Sequence, residues 1–381
     1  MHRFPRRGLD REKVMAELHG AKARDRPFIN GRVLSSMCTQ PLEIAVEAHG
    51  LFIEANLGNP GLYPGTQALE RKVIAWLSDL YHGRGADGHV VSGGTEANIT
   101  ALWLARNLAP GKKEVVYPRS AHFSVRKACD LLGLRGIEAP LNPDFTVDVE
   151  AASRAISKST AAVIGIAGTT EVGAVDDIEA LAEAADGAFL HVDAAYGGFV
   201  LPFLPHGRRF DFGVEGVCSL ATDPHKMGLS TIPSGILLVR DARWFNVISV
   251  EAPYLTMVRQ SALSGTRCSA AVAATYAAMR STGFEGYVQV VRGCFDIAWH
   301  LAKLLEAEGF ALAVKPTLPI LNIALRSPAQ VQSALLRRGW HVSVSREPRA
   351  LRLVVMPHVT LEAAERFAEE MRKVARRLGE L

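Results

Sequence analysis

The chain has 381 residues, 48% of them hydrophobic and 22% charged, a composition ordinary for a folded globular enzyme with room for one large domain and a smaller one. The net charge is only +4 and no long basic block occurs, so nucleic acid is excluded as the default partner; the basic run from Arg3 to Arg11 reads as a solvated face. Five scattered cysteines (Cys38, Cys129, Cys218, Cys268, Cys294) without a C-x-x-C pair argue against zinc and against a disulfide framework, and fit a reducing cytoplasm. Asp10, Arg11, Glu12 and Lys13 interrupt any signal-peptide core, and no apolar run reaches the length of a membrane span, so a cytosolic protein is expected.

A short amphipathic helix is predicted over 10–19, irregular chain over 20–40, and a helix from Glu43 to Ala55. The turn-rich stretch from Gly58 to Gly65 is a loop, followed by a helix from Thr66 to about His82. Strands and helices then alternate. The strands are His89–Ser92, Glu114–Tyr117, Ala161–Ile166, Leu190–Asp193 and Gly235–Val239; the helices are Thr95–Asn107, His122–Leu132 and Ile178–Ala185. That rhythm predicts an α/β fold with a mostly parallel sheet covered on both faces. After about Thr282 the pattern changes. Strands are predicted at Leu318–Leu325, Trp340–Ser345 and Leu351–Met356. One helix opens at Ser327-Pro328 and another is capped by Thr360 with Glu362 in its first turn, giving a small α+β domain. The division expected is an N-terminal segment over 1–57, a large domain over 58–282 and a small one over 283–381.

The chemistry-bearing residues fall at the ends of these strands. Ser92-Gly93-Gly94-Thr95-Glu96-Ala97-Asn98 joins a strand to a helix, where free N–H groups and the Thr95 hydroxyl suit a phosphate; its plain alternative is a tight turn with Thr95 as N-cap. His122 opens a helix and offers a ring that can stack on a flat cofactor, or it is simply half-exposed. Thr170, in Gly168-Thr169-Thr170, lies where ligands of open α/β sheets collect. Asp193 ends a strand, and Asp223-Pro224-His225-Lys226 follows further on. A lysine that traps an aldehyde and an aspartate that keeps a ring nitrogen protonated are what pyridoxal phosphate requires. Singly each residue has an ordinary explanation; together, in this order, they point to that cofactor.

With these residues in place, the chain resembles the group II pyridoxal-phosphate-dependent decarboxylases, and within them the archaeal L-tyrosine/L-aspartate decarboxylases. The strings that carry the resemblance are Asn56 to Thr66, Ser92 to Asn98, Ser120 to Ser124, Gly168 to Thr170, His191 to Tyr196 and Pro224-His225-Lys226, and it runs from about Ser35 to the C-terminal helix. It implies a type I, aminotransferase-like fold and a homodimer with active sites at the subunit interface. It also implies roles: Gly94 and Thr95 on the phosphate, His122 on the ring, Thr170 near the ring hydroxyl, Asp193 on the ring nitrogen with Ala195 beneath. Asp223 is a polar neighbour of the phosphate, His225 sits beside the Schiff base, and Lys226 forms it. Arg352 falls where relatives place an arginine near a substrate carboxylate, the alternative being an exposed strand arginine. Animal relatives carry a proton-donating tyrosine on a flexible loop. Thr256 to Ser264 contains none, so His225 and Tyr254 are the candidates for the donor. No metal is implied.

The implied reaction releases carbon dioxide from an amino acid. Tyrosine would give tyramine, for methanofuran synthesis, and aspartate would give β-alanine, for coenzyme A synthesis. The rivals are another pyridoxal-phosphate chemistry on the same fold, such as an aminotransferase or a lyase of phosphorylated substrates, and a non-catalytic phosphate-binding α/β protein.

Overall fold

The computed structural model describes residues 4–205, 207–257 and 259–381. Arg3 of the basic run and Val258 of the Thr256 to Ser264 stretch lie outside the described residues. Helices α1 (Arg11–Lys22), α2 (Glu43–Leu51) and α3 (Pro64–Leu80) precede strand β1 (Asp87–Val91). There follow α4 (Gly94–Leu108), β2 (Glu114–Pro118), α5 (Phe123–Leu132), β3 (Arg135–Ala139), α6 (Val149–Ala155), β4 (Thr160–Ile166) and α7 (Ile178–Ala185). Then come β5 (Phe189–Asp193), β6 (Val217–Thr222), β7 (Gly235–Val239), the short pair β8 (Val250–Glu251) and β9 (Arg259–Gln260), and the long helix α8 (Ser269–Ala307). The C-terminal part contains β10 (Ala311–Leu312), β11 (Ile320–Ala324), α9 (Pro328–Leu336), β12 (Ser343–Ser345), β13 (Ala350–Val354) and α10 (Leu361–Leu378).

Seven strands form the large sheet in the order β1-β7-β6-β5-β4-β2-β3. Only β7 is reversed, pairing antiparallel with both β1 and β6. The carboxyl ends of the other six strands therefore share one edge. The central strands are apolar throughout because both faces are covered, and alternate residues serve opposite faces. Val163, Leu190, Val192, Leu220, Ile236 and Leu238 pack toward α3, α6 and α7. Ala162, Ile164, Ala221, Leu237 and Val239 pack toward α4 and α5. Full burial of each large aliphatic contributes about 1.5–3 kcal/mol.

The smaller sheet, β10-β11-β13-β12, is antiparallel. Leu321, Ile323, Leu351 and Leu353 face α9 and α10 in a second core. Ile320 and Val354 point the other way and join the core of the large sheet. Asn322 and Arg352, paired across β11 and β13, lie on that same inward face. The stretch expected to be irregular is tied down here. Leu34 accepts from Val354 N at 2.7 Å and donates to His341 O at 2.8 Å, and so straps the N-terminal segment to the small sheet.

Besides the two-residue strands β8, β9 and β10, four longer elements were not expected from the sequence. β3 carries little apolar surface because it is an edge strand, mostly exposed. α6 is a short, alanine-rich turn of helix. β6 is buried although Ser219 and Thr222 interrupt its apolar run. α8 is buried on most sides in its first half, which erases the amphipathic stripe that marks a helix. The expected boundary near Thr282 falls inside α8, beside Gly283, whose backbone (φ 62, ψ 177) kinks it. Among the described residues no helix is long and apolar enough to cross a membrane.

Candidate active site

Five loops at the common strand edge, after β1, β2, β4, β5 and β6, and Met37 of the N-terminal segment enclose a cavity of about 340 Å³. The turn after β1 enters α4, whose first N–H groups lack intrahelical partners and receive no side-chain cap from Gly93. The turn can sit there because its neighbours are small. A Cβ at Gly235 would lie 2.4 Å from Gly93 Cα, and one at Gly94 would lie 3.1 Å from Ala195 Cβ and 3.3 Å from Asp223 Oδ2. Glu96 accepts from Ser92 N at 2.7 Å and from Ser264 Oγ at 2.7 Å, fixing the turn from behind.

The cavity brings together Gly94, Thr95, His122, Thr170, Asp193, Ala195, Asp223, His225 and Lys226, all nine residues expected from the sequence to meet a cofactor. Lys226 Nζ is 3.1 Å from Asp223 Oδ2. Burial alone would lower the pKa of this amine, but the carboxylates of Asp223 and Asp193 together outweigh it and hold the amine above its ordinary value. His225 Nδ1 is 2.5 Å from Ser234 O, and its Nε2 is 3.7 Å from Asp223 Oδ2. Burial holds both His225 and His122 below the usual histidine range. His122 is the N-cap of α5 and accepts from Ser124 N through Nδ1 at 3.3 Å. Asp193 accepts from Ala195 N at 3.1 Å and from Asn98 Nδ2 at 2.9 Å.

Two expected residues stand apart. Arg352 does not line the cavity; it is buried behind Tyr196, which does. It is not the exposed strand arginine that was the alternative. Its Nη1 donates to Ser35 O at 3.2 Å and Ser343 Oγ at 3.1 Å, while Nε and Nη2 have no partner among the described residues, nor do Tyr196 Oη and Asn322 Oδ1. Burial lowers its pKa to about 10. Tyr254 is 84% exposed and is not brought to the cavity of its own chain.

Sequence reasoning assigned no role to Asn98, Ser124, His191 or Ser120. Asn98 and Ser120 line the cavity, and Asn98, Ser124 and His191 form one hydrogen-bonded chain behind it. The available signal was polarity in the wrong place: His191 interrupts an apolar strand, and Asn98 sits on the buried face of α4.

The site fits pyridoxal phosphate on its own chemistry. An uncapped helix start and the crowded Gly94 suit a phosphate, a half-buried amine suits an aldehyde, and an aspartate with one bond on each oxygen keeps lone pairs for a ring N–H. Asp223 Oδ1 and Ser120 Oγ are buried without partners on the same walls.

The Pyridoxal-dependent decarboxylase conserved domain matches residues 44–326. A relative from Methanothrix thermoacetophila, named "Probable L-tyrosine/L-aspartate decarboxylase", is 46% identical over 98% of both chains. The "L-aspartate/L-glutamate decarboxylase" of Pyrococcus horikoshii is 43% identical, covering 98% of this chain and 99% of its own. Among solved structures, a sphingosine-1-phosphate lyase of Burkholderia pseudomallei superposes with a TM-score of 0.91 at 29% identity, covering 99% of this chain and 93% of that one. A Lactobacillus brevis glutamate decarboxylase gives 0.90 at 21% identity, over 100% and 96%, and shares the fold. With the cavity and its lysine in place, these likenesses assign the chain to the pyridoxal-dependent decarboxylase family, carboxy-lyases of the type I fold that use pyridoxal phosphate.

Proposed function

We propose that this decarboxylase acts on L-tyrosine or L-aspartate, giving tyramine or β-alanine and carbon dioxide. The observation that carries the reading is the half-buried amine of Lys226, held 3.1 Å from Asp223 in a cavity that Asp193 also lines. The substrates are those in the names of relatives 43–46% identical over nearly the whole chain.

Pyridoxal phosphate, when bound, supplies an aldehyde that captures an amine and a ring that takes up the electrons of a broken Cα–carboxylate bond. In this reading Lys226 carries the cofactor and Asp223 steadies its ammonium form. The first turn of α4, with Gly94 and Thr95, meets the phosphate dianion at the positive end of the helix. His122 and Ala195 would hold the ring, Thr170 would meet its hydroxyl, and Asp193 would accept from its nitrogen through a charge-assisted bond. Arg352 Nε and Nη2 and Tyr196 Oη lack partners, and in this reading they receive the substrate carboxylate once the Tyr196 side chain, which lines the cavity in front of Arg352, moves aside. His225 is the proton donor supplied by this chain.

The working unit in this reading is a cytosolic homodimer. Ile44, Val46, Leu51 and Ile53 around α2 and Phe123 at the cavity are exposed, and apolar surface of that kind supports a subunit interface there.

A decarboxylation assay comparing tyrosine, aspartate and glutamate tests the substrates. Release of carbon dioxide from tyrosine or aspartate is expected; equal, negligible rates with all three remove the substrate assignment. The likeness to a sphingosine-1-phosphate lyase favours one second reading, cleavage of a phosphorylated amino alcohol. Aldehyde release from such a compound, with no carbon dioxide from any amino acid, would select it.

A further inference from the structure

Behind the cavity, four elements meet through side chains in one continuous line. Asn98 of α4 is 1% exposed and makes three bonds. Its Nδ2 donates to Asp193 Oδ2 at 2.9 Å and to Ser124 Oγ at 2.9 Å, and its Oδ1 lies 2.9 Å from His191 Nε2. A carboxylate only accepts, so the amide nitrogen must face Asp193. The oxygen then faces His191, whose Nε2 must carry the proton. His191 Nδ1 is left as an acceptor, 2.7 Å from the Ser219 hydroxyl of β6. Ser124, already accepting from Asn98, directs its own proton to His122 Nδ1 at 2.8 Å. The Ser124 amide approaches the same nitrogen at 3.3 Å. Two donors aimed at Nδ1 leave the proton of a neutral His122 on Nε2.

We propose that Asn98 is a positioning residue that sets the proton pattern of two cavity groups at once, holding Asp193 as an ionised acceptor and His122 as a neutral ring protonated on Nε2. The line ends at His191, which is wholly buried; burial pushes its pKa down to about 4 and keeps it from becoming a second donor cation. The consequence is electrostatic. A cofactor ring protonated against Asp193 carries positive charge, and a neutral His122 beside it adds none. The other charges acting on His122 are Asp193, Asp223, Lys226 and Lys127, and they are of mixed sign. An aspartate at position 98 would reverse the pattern, because two carboxylates in contact must share a proton. The part of the inference that concerns the ring rests on the proposed role of Asp193; the part that concerns His122 does not.

The experiment uses both parts. In cofactor-free protein, the His122 imidazole is followed by NMR against pH, its resonance identified by its loss in His122→Gln. In parallel, the dissociation constant for pyridoxal phosphate is measured. Ser124→Ala breaks only the His122 branch, and should move the His122 titration upward toward that of a free histidine with cofactor affinity within about twofold of the parent. Asn98→Ala breaks both branches, and should move the titration and weaken cofactor binding by about tenfold, the loss of one charge-assisted hydrogen bond. An unmoved His122 titration in Ser124→Ala overturns the proposal by itself, as does equal weakening of the cofactor in both variants. Should Asn98→Ala not fold, Asn98→Ser, which cannot reach all three partners, takes its place. If the parent protein binds no pyridoxal phosphate, the cofactor reading fails, while the His122 titration still decides the inference.

Discussion

On the large-sheet side of the cavity, Asn98, Ser124, His191 and Asp193 find their hydrogen-bond partners within the chain, though Asp223 Oδ1 and Ser120 Oγ do not; toward the small sheet, Arg352 and Asn322, with Tyr196 of the loop after β5 beside them, leave buried polar atoms without partners among the described residues. Both regions are buried, so dielectric alone does not separate them. On the proposed roles, the difference lies in what each does. Groups that hold a resident cofactor gain from being oriented in advance, because no reorganisation is then needed when charge develops. Groups that receive a substrate must offer open valences to a molecule that comes and goes. A buried guanidinium with two idle nitrogens costs stability, and its natural complement is a carboxylate.

The harshest test of the large-sheet side removes its amine. Lys226→Ala should lower activity by at least about 10³-fold, the scale on which covalent catalysis is lost. After borohydride reduction and digestion, the peptide spanning position 226 should then lack the pyridoxyl mass that the parent shows. Next in size is Asp193→Ala. Loss of the ring-nitrogen partner should cost about 10²–10³-fold in kcat, as removal of one preorganised electrostatic contact does. A variant with parental kcat would mean that the orderly side does not serve the ring.

The small-sheet side should behave in the opposite sense. Arg352→Met should raise KM by roughly 10–100-fold, the worth of a hydrogen bond to a charged group. Its Tm should hold or rise, because an under-partnered buried cation has been replaced by an apolar chain of similar size. A clear fall in Tm would show that the guanidinium is satisfied in the resting enzyme, and the contrast between the two regions would collapse.

The mildest effect is on stability against pH. The His191 pKa falls from about 6.5 in the unfolded chain to about 4 in the fold. Between those values the unfolded chain binds the extra proton, so stability is full above about pH 6.5 and declines as pH drops toward about 4. Burial depresses His89, His122, His225 and His358 in the same direction, which adds to the slope. For His191 alone the loss between pH 7 and pH 5 is on the order of 2 kcal/mol. Urea midpoints at pH 7 and pH 5 measure it, and His191→Gln should flatten part of the difference.

Much of the architecture was legible along the chain. The strands β4, β5 and β7 announce themselves as short apolar runs because both faces of the sheet are covered. β6 and α8 were hidden for the same physical reason seen from the other side. Ser219 in β6 is polar yet buried because His191 satisfies it, and α8 is too enclosed to show a stripe. Of the site, the residues that end strands or open helices were readable, since that edge is where an α/β sheet gathers ligands. Tyr254 was named for its nearness in sequence to a loop, and chain proximity did not place it at its own cavity.

Local patterning alone decided that this chain would build a mostly parallel sheet, and that a glycine turn, an aspartate and a lysine would stand along its carboxyl edge. The fold decided which polar atoms are paired. Asn98 meets Ser124, His191 and Asp193 across 26, 93 and 95 residues of chain, and Arg352 of the small sheet comes close enough to Tyr196 to feel its hydroxyl. A hydrogen bond is set by distance and angle in space, and residue identity constrains only which atoms can donate or accept.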